Sequence, residues 1–162
     1  MPSPWGPVVL LACLGSALAG QGSPPPSSAP LPALPPRWAP RGSIAPGDTV
    51  RDSLTRRDPL LPAESTYAQQ WRLAGRAGQT VTIDIAADAF DAYAFLLGPG
   101  FERSAPQDDD SGGRCNARLT VRLPQTGDYF IVVTSSERRA TGPFTLTVAA
   151  GPKPVSLAPC TR

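Results

Sequence analysis

Histidine is absent from this sequence of 162 residues, and lysine occurs once, as Lys153. Without an imidazole there is no His-based serine or cysteine triad, no histidine general base and no His-containing zinc site. One lysine close to the C-terminal end leaves Schiff-base and lysine-base chemistry without an agent. Charge is scarce as well: only 17% of residues are charged, and 15 Lys+Arg against 13 Asp+Glu give a formal charge of +2. That balance lacks the basic excess with which nucleic-acid binders neutralise phosphates, so no nucleic-acid partner is expected. No apolar run reaches the roughly 20 residues of a transmembrane helix. Together these absences point away from an enzyme.

What is abundant is proline and glycine, 21 and 15 residues, roughly double the usual share of the two together. The length allows one ordinary domain and something more. Residues 7–19 carry no charge, hold a short apolar core and end in Ala17-Leu18-Ala19. Small residues at those positions suit a signal peptidase, so residues 1–19 are expected to be a signal peptide, although no Lys or Arg precedes the core. Leu10-Leu11-Ala12-Cys13 offers an alternative, a bacterial lipoprotein box in which Cys13 carries the anchor. Either way the product is exported, to the periplasm or beyond the cell. Cys115 and Cys160 then remain as a pair in a compartment where disulfides persist. Closing the loop between them contributes about 4 kcal/mol on a chain-entropy estimate and pins a C-terminal tail, residues 151–162.

Residues 20–46 are dominated by proline, serine and alanine, with Arg37 and Arg41 the only charges. Such a segment buries too little apolar surface to offset its ordering entropy, which predicts a disordered, polyproline-rich spacer with Trp38 solvated within it. Beyond residue 46 the pattern turns to period two. Val81, Ile83 and Ile85 alternate with Thr80, Thr82 and Asp84; Leu119, Val121 and Leu123 with Arg118, Thr120 and Arg122; Phe144, Leu146 and Val148 with Thr145 and Thr147. Tyr67, Trp71 and Leu73 share one face of 66–74, interrupted by Gln69. Ala92–Leu97 and Tyr129–Val133 are apolar on both faces and read as central strands, which places Tyr93 inside. Turn signals such as Gly98-Pro99-Gly100, Ser111-Gly112-Gly113 and Thr126-Gly127-Asp128 separate the runs. The expectation is all-β: a jelly-roll-like antiparallel β-sandwich over residues 47–150. Tyr129, just after a Thr-Gly turn, has the setting of a tyrosine corner, a structural role.

The order of these pieces is itself informative. Gly47-Asp48-Thr49, the aromatic strand around Tyr67 and Trp71, and Ala77-Gly-Gln-Thr-Val-Thr-Ile-Asp-Ile85 come first. Phe90-Asp91-Ala-Tyr93, Asp108-Asp109-Asp110, Leu123-Pro-Gln-Thr-Gly-Asp-Tyr129 and Phe144-Thr-Leu-Thr-Val148 follow. This series resembles the bacterial pre-peptidase C-terminal domain family over residues 43–150. The resemblance implies a secreted jelly-roll-like sandwich without catalytic machinery, a domain that usually follows a secreted peptidase and in some members binds calcium. Here a signal and a spacer precede the domain, so a free-standing binding role is expected in place of an appendage to a protease.

Asp108-Asp109-Asp110-Ser-Gly-Gly113 is the densest charge in the chain. Calcium takes six to eight oxygens at about 2.3–2.6 Å, often from a glycine-permitted acidic loop. Alternation puts Asp108 and Asp110 on one side, and Asn116 offers an amide oxygen. The resemblance adds Asp91, the aspartate of its Phe-Asp motif, so the candidate calcium ligands are Asp91, Asp108, Asp110 and Asn116. The competing reading is a solvated acidic turn. Two carboxylates also suffice for glycoside hydrolysis, but no spacing in the sequence sets their separation. Arg118 and Arg122 project from one polar face of their strand, a candidate binding face for acidic polysaccharide or for envelope phosphate. The candidates for stacking on sugar are Trp38, Phe101 and Tyr93. The leading functional expectation is an exported, non-catalytic module binding a protein or cell-envelope polysaccharide. The alternatives are a carbohydrate-binding module and an auxiliary domain acting in trans on a secreted peptidase.

Overall fold

The computed structural model describes residues 38–161. The expected signal peptide, Cys13 and the spacer up to residue 37 lie outside the described residues. In chain order the strands are β1 (Gly42–Ser43), β2 (Thr49–Leu54), β3 (Leu60–Leu61), β4 (Thr66–Tyr67), β5 (Gln69–Gly75) and β6 (Thr80–Ala86). They continue with β7 (Ala92–Leu97), β8 (Gln107–Asp108), β9 (Ala117–Arg122), β10 (Gly127–Ser135) and β11 (Gly142–Ala150). A five-stranded sheet in the order β1-β5-β10-β7-β8 faces a four-stranded sheet in the order β2-β11-β6-β9, with β3-β4 as a separate two-stranded ribbon. All pairings are antiparallel except β1 with β5. The all-β sandwich expected from the alternation is the architecture found.

The period-two residues meet where the pattern sends them. Ile131 pairs with Trp71 on one side and Leu96 on the other. In the opposing sheet Ile83 pairs with Val148 and Leu119. Leu73, Leu96, Tyr129 and Ile131 from one sheet and Val81, Ile83, Ile85, Leu146 and Val148 from the other are wholly buried. Each such aliphatic side chain contributes about 1.5–3 kcal/mol of burial free energy, which is what selects this register over a one-residue slip.

Tyr129 closes one end of the core. Its hydroxyl donates to the Gln125 carbonyl at 2.7 Å and lies 3.1 Å from that of Pro99, while the Gln125 N–H reaches it at 3.3 Å. The ring occupies space cleared by two glycines. A Cβ on Gly75 would come within 2.8 Å of the ring, and one on Gly98 within 2.4 Å. Gly98 also has a φ of +150°, which side-chain-bearing residues rarely adopt. The tyrosine corner expected from the Thr-Gly-Asp-Tyr sequence is formed.

Two boundaries differ from the sequence expectation. The sandwich begins before residue 47: β1 lies within the span read as spacer, the Arg41 N–H donates to Gln70 O at 2.8 Å, and Ile44 is in the core at 3% exposure. One isoleucine and two residues of parallel pairing suffice to fasten a segment whose composition is otherwise that of a tether. The stretch 66–74 is not one strand either. Tyr67 pairs with Leu60 in the β3-β4 ribbon, and buried Ala68 separates it from β5. That ribbon folds over the outer face of the five-stranded sheet, where Thr134 Oγ1 donates to the Tyr67 carbonyl at 2.8 Å.

Candidate functional site

The acidic loop follows β8 and is tied to the C-terminal tail. Cys115 and Cys160 form a disulfide, as their pairing in the sequence led one to expect. Asp91, Asp110, Cys115 and Cys160 each place one potential ligand atom within 4.8 Å of the others. The sulfurs are spent on the bridge, so two carboxylates remain. Oδ1 of Asp91 is buried without a hydrogen-bond partner among the described residues. Burial, then the neighbouring charges of Asp110, Asp109 and Glu137, push the Asp91 carboxyl up, against a hydrogen bond from Ser136 that lowers it.

The four ligands expected for calcium do not converge as a set. Asp108 Oδ2 accepts the N–H groups of Ser111 at 3.0 Å and Arg118 at 2.8 Å, which makes it the cap of its own loop. Asn116 Oδ1 accepts the Ala87 N–H at 3.0 Å and joins the β6 end to the loop before β9. Side chains of this kind were legible as oxygen donors; that backbone amides would claim them was not.

The arginine face divides in the same way. Arg118 donates from Nε to Asp84 and from Nη1 to the Pro154 carbonyl at 2.7 Å. Lys153 Nζ reaches the other Asp84 oxygen at 2.6 Å. Arg118 thus serves as a strut holding the tail against the four-stranded sheet, and the binding role expected for it is corrected accordingly. Arg122 stays exposed beyond Thr120.

The outer face of the five-stranded sheet is built differently. Tyr93, Phe95 and Leu97 of β7 are half-buried and point away from the core, the reverse of the inward Tyr93 expected from the doubly apolar run. The cause is the strand's neighbours: Ala92, Ala94 and Leu96 fill the core side, and the β3-β4 ribbon shelters the outer residues enough for aromatics to be favoured there. The Tyr93 and Phe95 rings are tilted with centroids 6.1 Å apart. With Leu61, Thr66 and Gln107 they line a groove of about 270 Å³. Burial, then the carboxylates of Asp109, Glu64 and Asp108, raise the Tyr93 hydroxyl, which shows how negative the groove's surroundings are. Phe101, another of the three stacking candidates, instead packs on Tyr129 with ring centroids 5.8 Å apart.

A second pocket of about 250 Å³ lies where β5 emerges from the ribbon, lined by Trp38, Arg41, Arg57, Asp58, Gln69 and Gln70 among others. Trp38 is half-buried against it, which the solvated position expected within a spacer did not anticipate. Gln69 and Gln70 were invisible as site residues; the one signal was Gln69 breaking the apolar pattern at the head of a strand.

No family model matches the sequence, and no curated protein matches it. Similar solved structures do exist. The pre-peptidase C-terminal domain of a collagenase from Bacillus anthracis aligns over 67% of this chain and 95% of its own, with 12% identity and a TM-score of 0.49. PliG of Aeromonas hydrophila, a periplasmic inhibitor of g-type lysozyme, aligns over 68% and 96%, with 21% identity and a TM-score of 0.49. PliG of Salmonella Typhimurium aligns over 68% and 97%, with 16% identity and a TM-score of 0.44. The first of these is the domain type that the motif series resembles. At such identities and scores these likenesses add no activity and no partner to the chain. Among the described residues no helix is long and apolar enough to cross a membrane.

Proposed function

We propose that the chain is an exported, non-catalytic β-sandwich module that docks a partner protein on the outer face of its five-stranded sheet. The observation that carries this is the groove of Tyr93, Phe95 and Leu97 beside Glu64, Asp108 and Asp109. Aromatic side chains half-open to solvent supply contact area at low entropic cost, and a negative rim selects a partner segment that carries Lys or Arg. Export is supported by the disulfide, which persists in oxidising compartments. The composition supports a role without turnover, since histidine is absent and the one lysine lies in the tail, which leaves carboxylates as the main proton carriers. The test is a photo-crosslinking residue in place of exposed Gln107, in the full exported chain. One defined protein adduct, lost in the Tyr93→Ala/Phe95→Ala variant with its melting unchanged, supports docking here. An adduct indifferent to those changes refutes it.

Within this proposal calcium acts as a structural ion at the acidic end through Asp91 and Asp110. The orphaned Asp91 oxygen and the mutually repelling carboxylates support it; Asp108 and Asn116 do not belong to the set. Melting in EDTA and then in about 1 mM calcium tests it, because an ion bound to the folded state alone raises stability by mass action. A rise absent from Asp110→Asn supports the ion, and no rise removes calcium without touching the docking face.

A further inference from the structure

The tail beyond β11 carries the most exposed large apolar side chains among the described residues. Val155 is 62% exposed and Leu157 92%. A chain end of this kind ordinarily frays. Here it is fastened on both sides of the apolar pair. Upstream, the Lys153 N–H donates to Thr82 Oγ1 at 3.1 Å and the Pro154 carbonyl accepts from Arg118 Nη1 at 2.7 Å. Downstream, Cys160 is bridged to Cys115. Between these anchors the tail leaves the sheet face and runs along the loop before β9. There the Ser156 N–H donates to Ser111 O at 2.8 Å and the Arg114 N–H to Ala158 O at 3.1 Å. Pro154 and Pro159 keep Lys153 and Ala158, the residues before them, in extended conformations.

These bonds sort the segment by parity, since alternate residues of an extended chain aim their main-chain groups at opposite edges. Ser156 and Ala158 turn theirs toward the domain. Their side chains rest over Gly113, where a Cβ would come within 2.2 Å of Ser156 Oγ and 3.2 Å of Ala158 Cβ. Ser156 Oγ also accepts the Ala158 N–H at 3.3 Å. The N–H and C=O groups of Val155 and Leu157 have no hydrogen-bond partner among the described residues. The result is a strip held from behind, whose open edge and open aliphatic side chains belong to the same two residues.

We infer that this strip, residues 154–159, occupies the substrate cleft of a serine endopeptidase with an apolar specificity pocket and inhibits it. Such an enzyme takes its substrate as an added strand, pairing with the main chain of alternate residues while one side chain fills a pocket beside the nucleophile. Leu157 supplies that side chain, Val155 the second contact on the same edge, and the Leu157 carbonyl the group that the serine meets. The bond presented is Leu157–Ala158. Hydrolysis would add one water across it, leaving a carboxylate on Leu157 and an amine on Ala158. Both new ends stay in place, the first through the chain and the second through the disulfide and the Arg114 bond. The amine therefore remains where it can attack the acyl-enzyme and reform the bond, which a diffusing product cannot do. Anchoring also removes much of the ordering cost of binding. A second copy pairing along the open edge would use the main-chain groups but no pocket for Leu157, and a lipid surface would leave those groups unpaired.

The inference goes beyond the docking groove and uses none of its residues, so the two fail separately. The experiment titrates the full exported chain against chymotrypsin, subtilisin and trypsin, each followed with a small chromogenic substrate. Inhibition of chymotrypsin or subtilisin is expected, with trypsin unaffected because its pocket selects a basic side chain. Leu157→Arg, at so open a position, should melt like the parent. It should weaken that inhibition at least about tenfold and create inhibition of trypsin, a change of specificity that a merely structural residue would not produce. Mass analysis should find the tail intact or cut only at Leu157–Ala158, the cut form heavier by one water and shedding the segment from Ala158 onward only on reduction. Cys115→Ser/Cys160→Ser should turn the inhibitor into a substrate that is cut at the same bond and loses the segment at once. The inference is overturned if neither chymotrypsin nor subtilisin is inhibited at about 10 μM, or if Leu157→Arg leaves the set of inhibited enzymes unchanged. Inhibition lost in Tyr93→Ala/Phe95→Ala but kept in Leu157→Arg would place the contact in the groove and overturn it as well. So would self-association through the tail, seen by sedimentation, with no enzyme inhibited.

Discussion

The outer faces of the two sheets have opposite fates. On the four-stranded sheet Thr82 is completely buried under the tail, donating to the Gly151 carbonyl at 2.8 Å and accepting from the Lys153 N–H at 3.1 Å. Asp84 gathers both Arg118 and Lys153 there. On the five-stranded sheet the aromatics of β7 stay half-open and the Gln70 side-chain amide is buried without a partner among the described residues. One face spends its polar groups on its own chain and the other holds them back. Stability is therefore expected to concentrate at the first and recognition at the second.

The sharpest way to break the comparison is to release the tail. Cys115→Ser/Cys160→Ser should cost about 2–5 kcal/mol in denaturant unfolding and raise hydrogen exchange at Thr82 and Lys153. An unfolding curve identical to the parent's would mean the tail is held by its polar contacts alone. Next in size is Asp84→Ala, which strips two cations of their shared partner. Because these groups remain partly solvated, the expected loss is about 1 kcal/mol and should shrink in high salt. A salt-independent loss would assign the effect to packing.

On the open face the same treatment should barely register. Tyr93→Ala and Phe95→Ala are each expected to cost less than about 1 kcal/mol, since neither ring belongs to the core. A thermal melt showing a core-sized loss would show the groove to be structural and remove the contrast.

The smallest effect carries a sign. Asp91 holds its proton more tightly in the folded state, mainly through burial, so ionising it opposes folding. Below the ordinary carboxylate range both states are protonated and the group contributes nothing; as pH rises past it, the folded state is penalised. Asp91→Asn should therefore stabilise slightly at pH 7, by less than about 1 kcal/mol for so open a site, and leave stability unchanged near pH 3. Destabilisation at pH 7 in metal-free buffer would contradict this.

The two-residue periodicity made the core strands legible, because a side chain's face on an extended backbone follows from its parity. Tyr129 and the cysteine pair were legible for related reasons: a turn-and-tyrosine sequence is local, and two cysteines left after export have one pairing open to them. Tyr93 was not. A run apolar on both faces says that both faces are covered but not by what, and the ribbon that shelters Tyr93 covers it only in part. Nor was β1, whose two residues, Gly42 and Ser43, carry no alternation to read.

By itself the sequence determined the class of fold: an all-β sandwich with a cysteine pair, in a chain without histidine. Those properties reside in composition and in spacing along the chain. Tertiary structure alone decided which polar groups remain free. Arg118, Asp108 and Asn116 look available in one dimension and are claimed by groups 10 to 36 residues away. Gln70 carries no signal in the sequence and ends with its side-chain amide buried and without a partner among the described residues. The physical reason is that satisfaction of a hydrogen bond depends on what the fold brings within about 3 Å, a distance that residue type and local pattern do not encode.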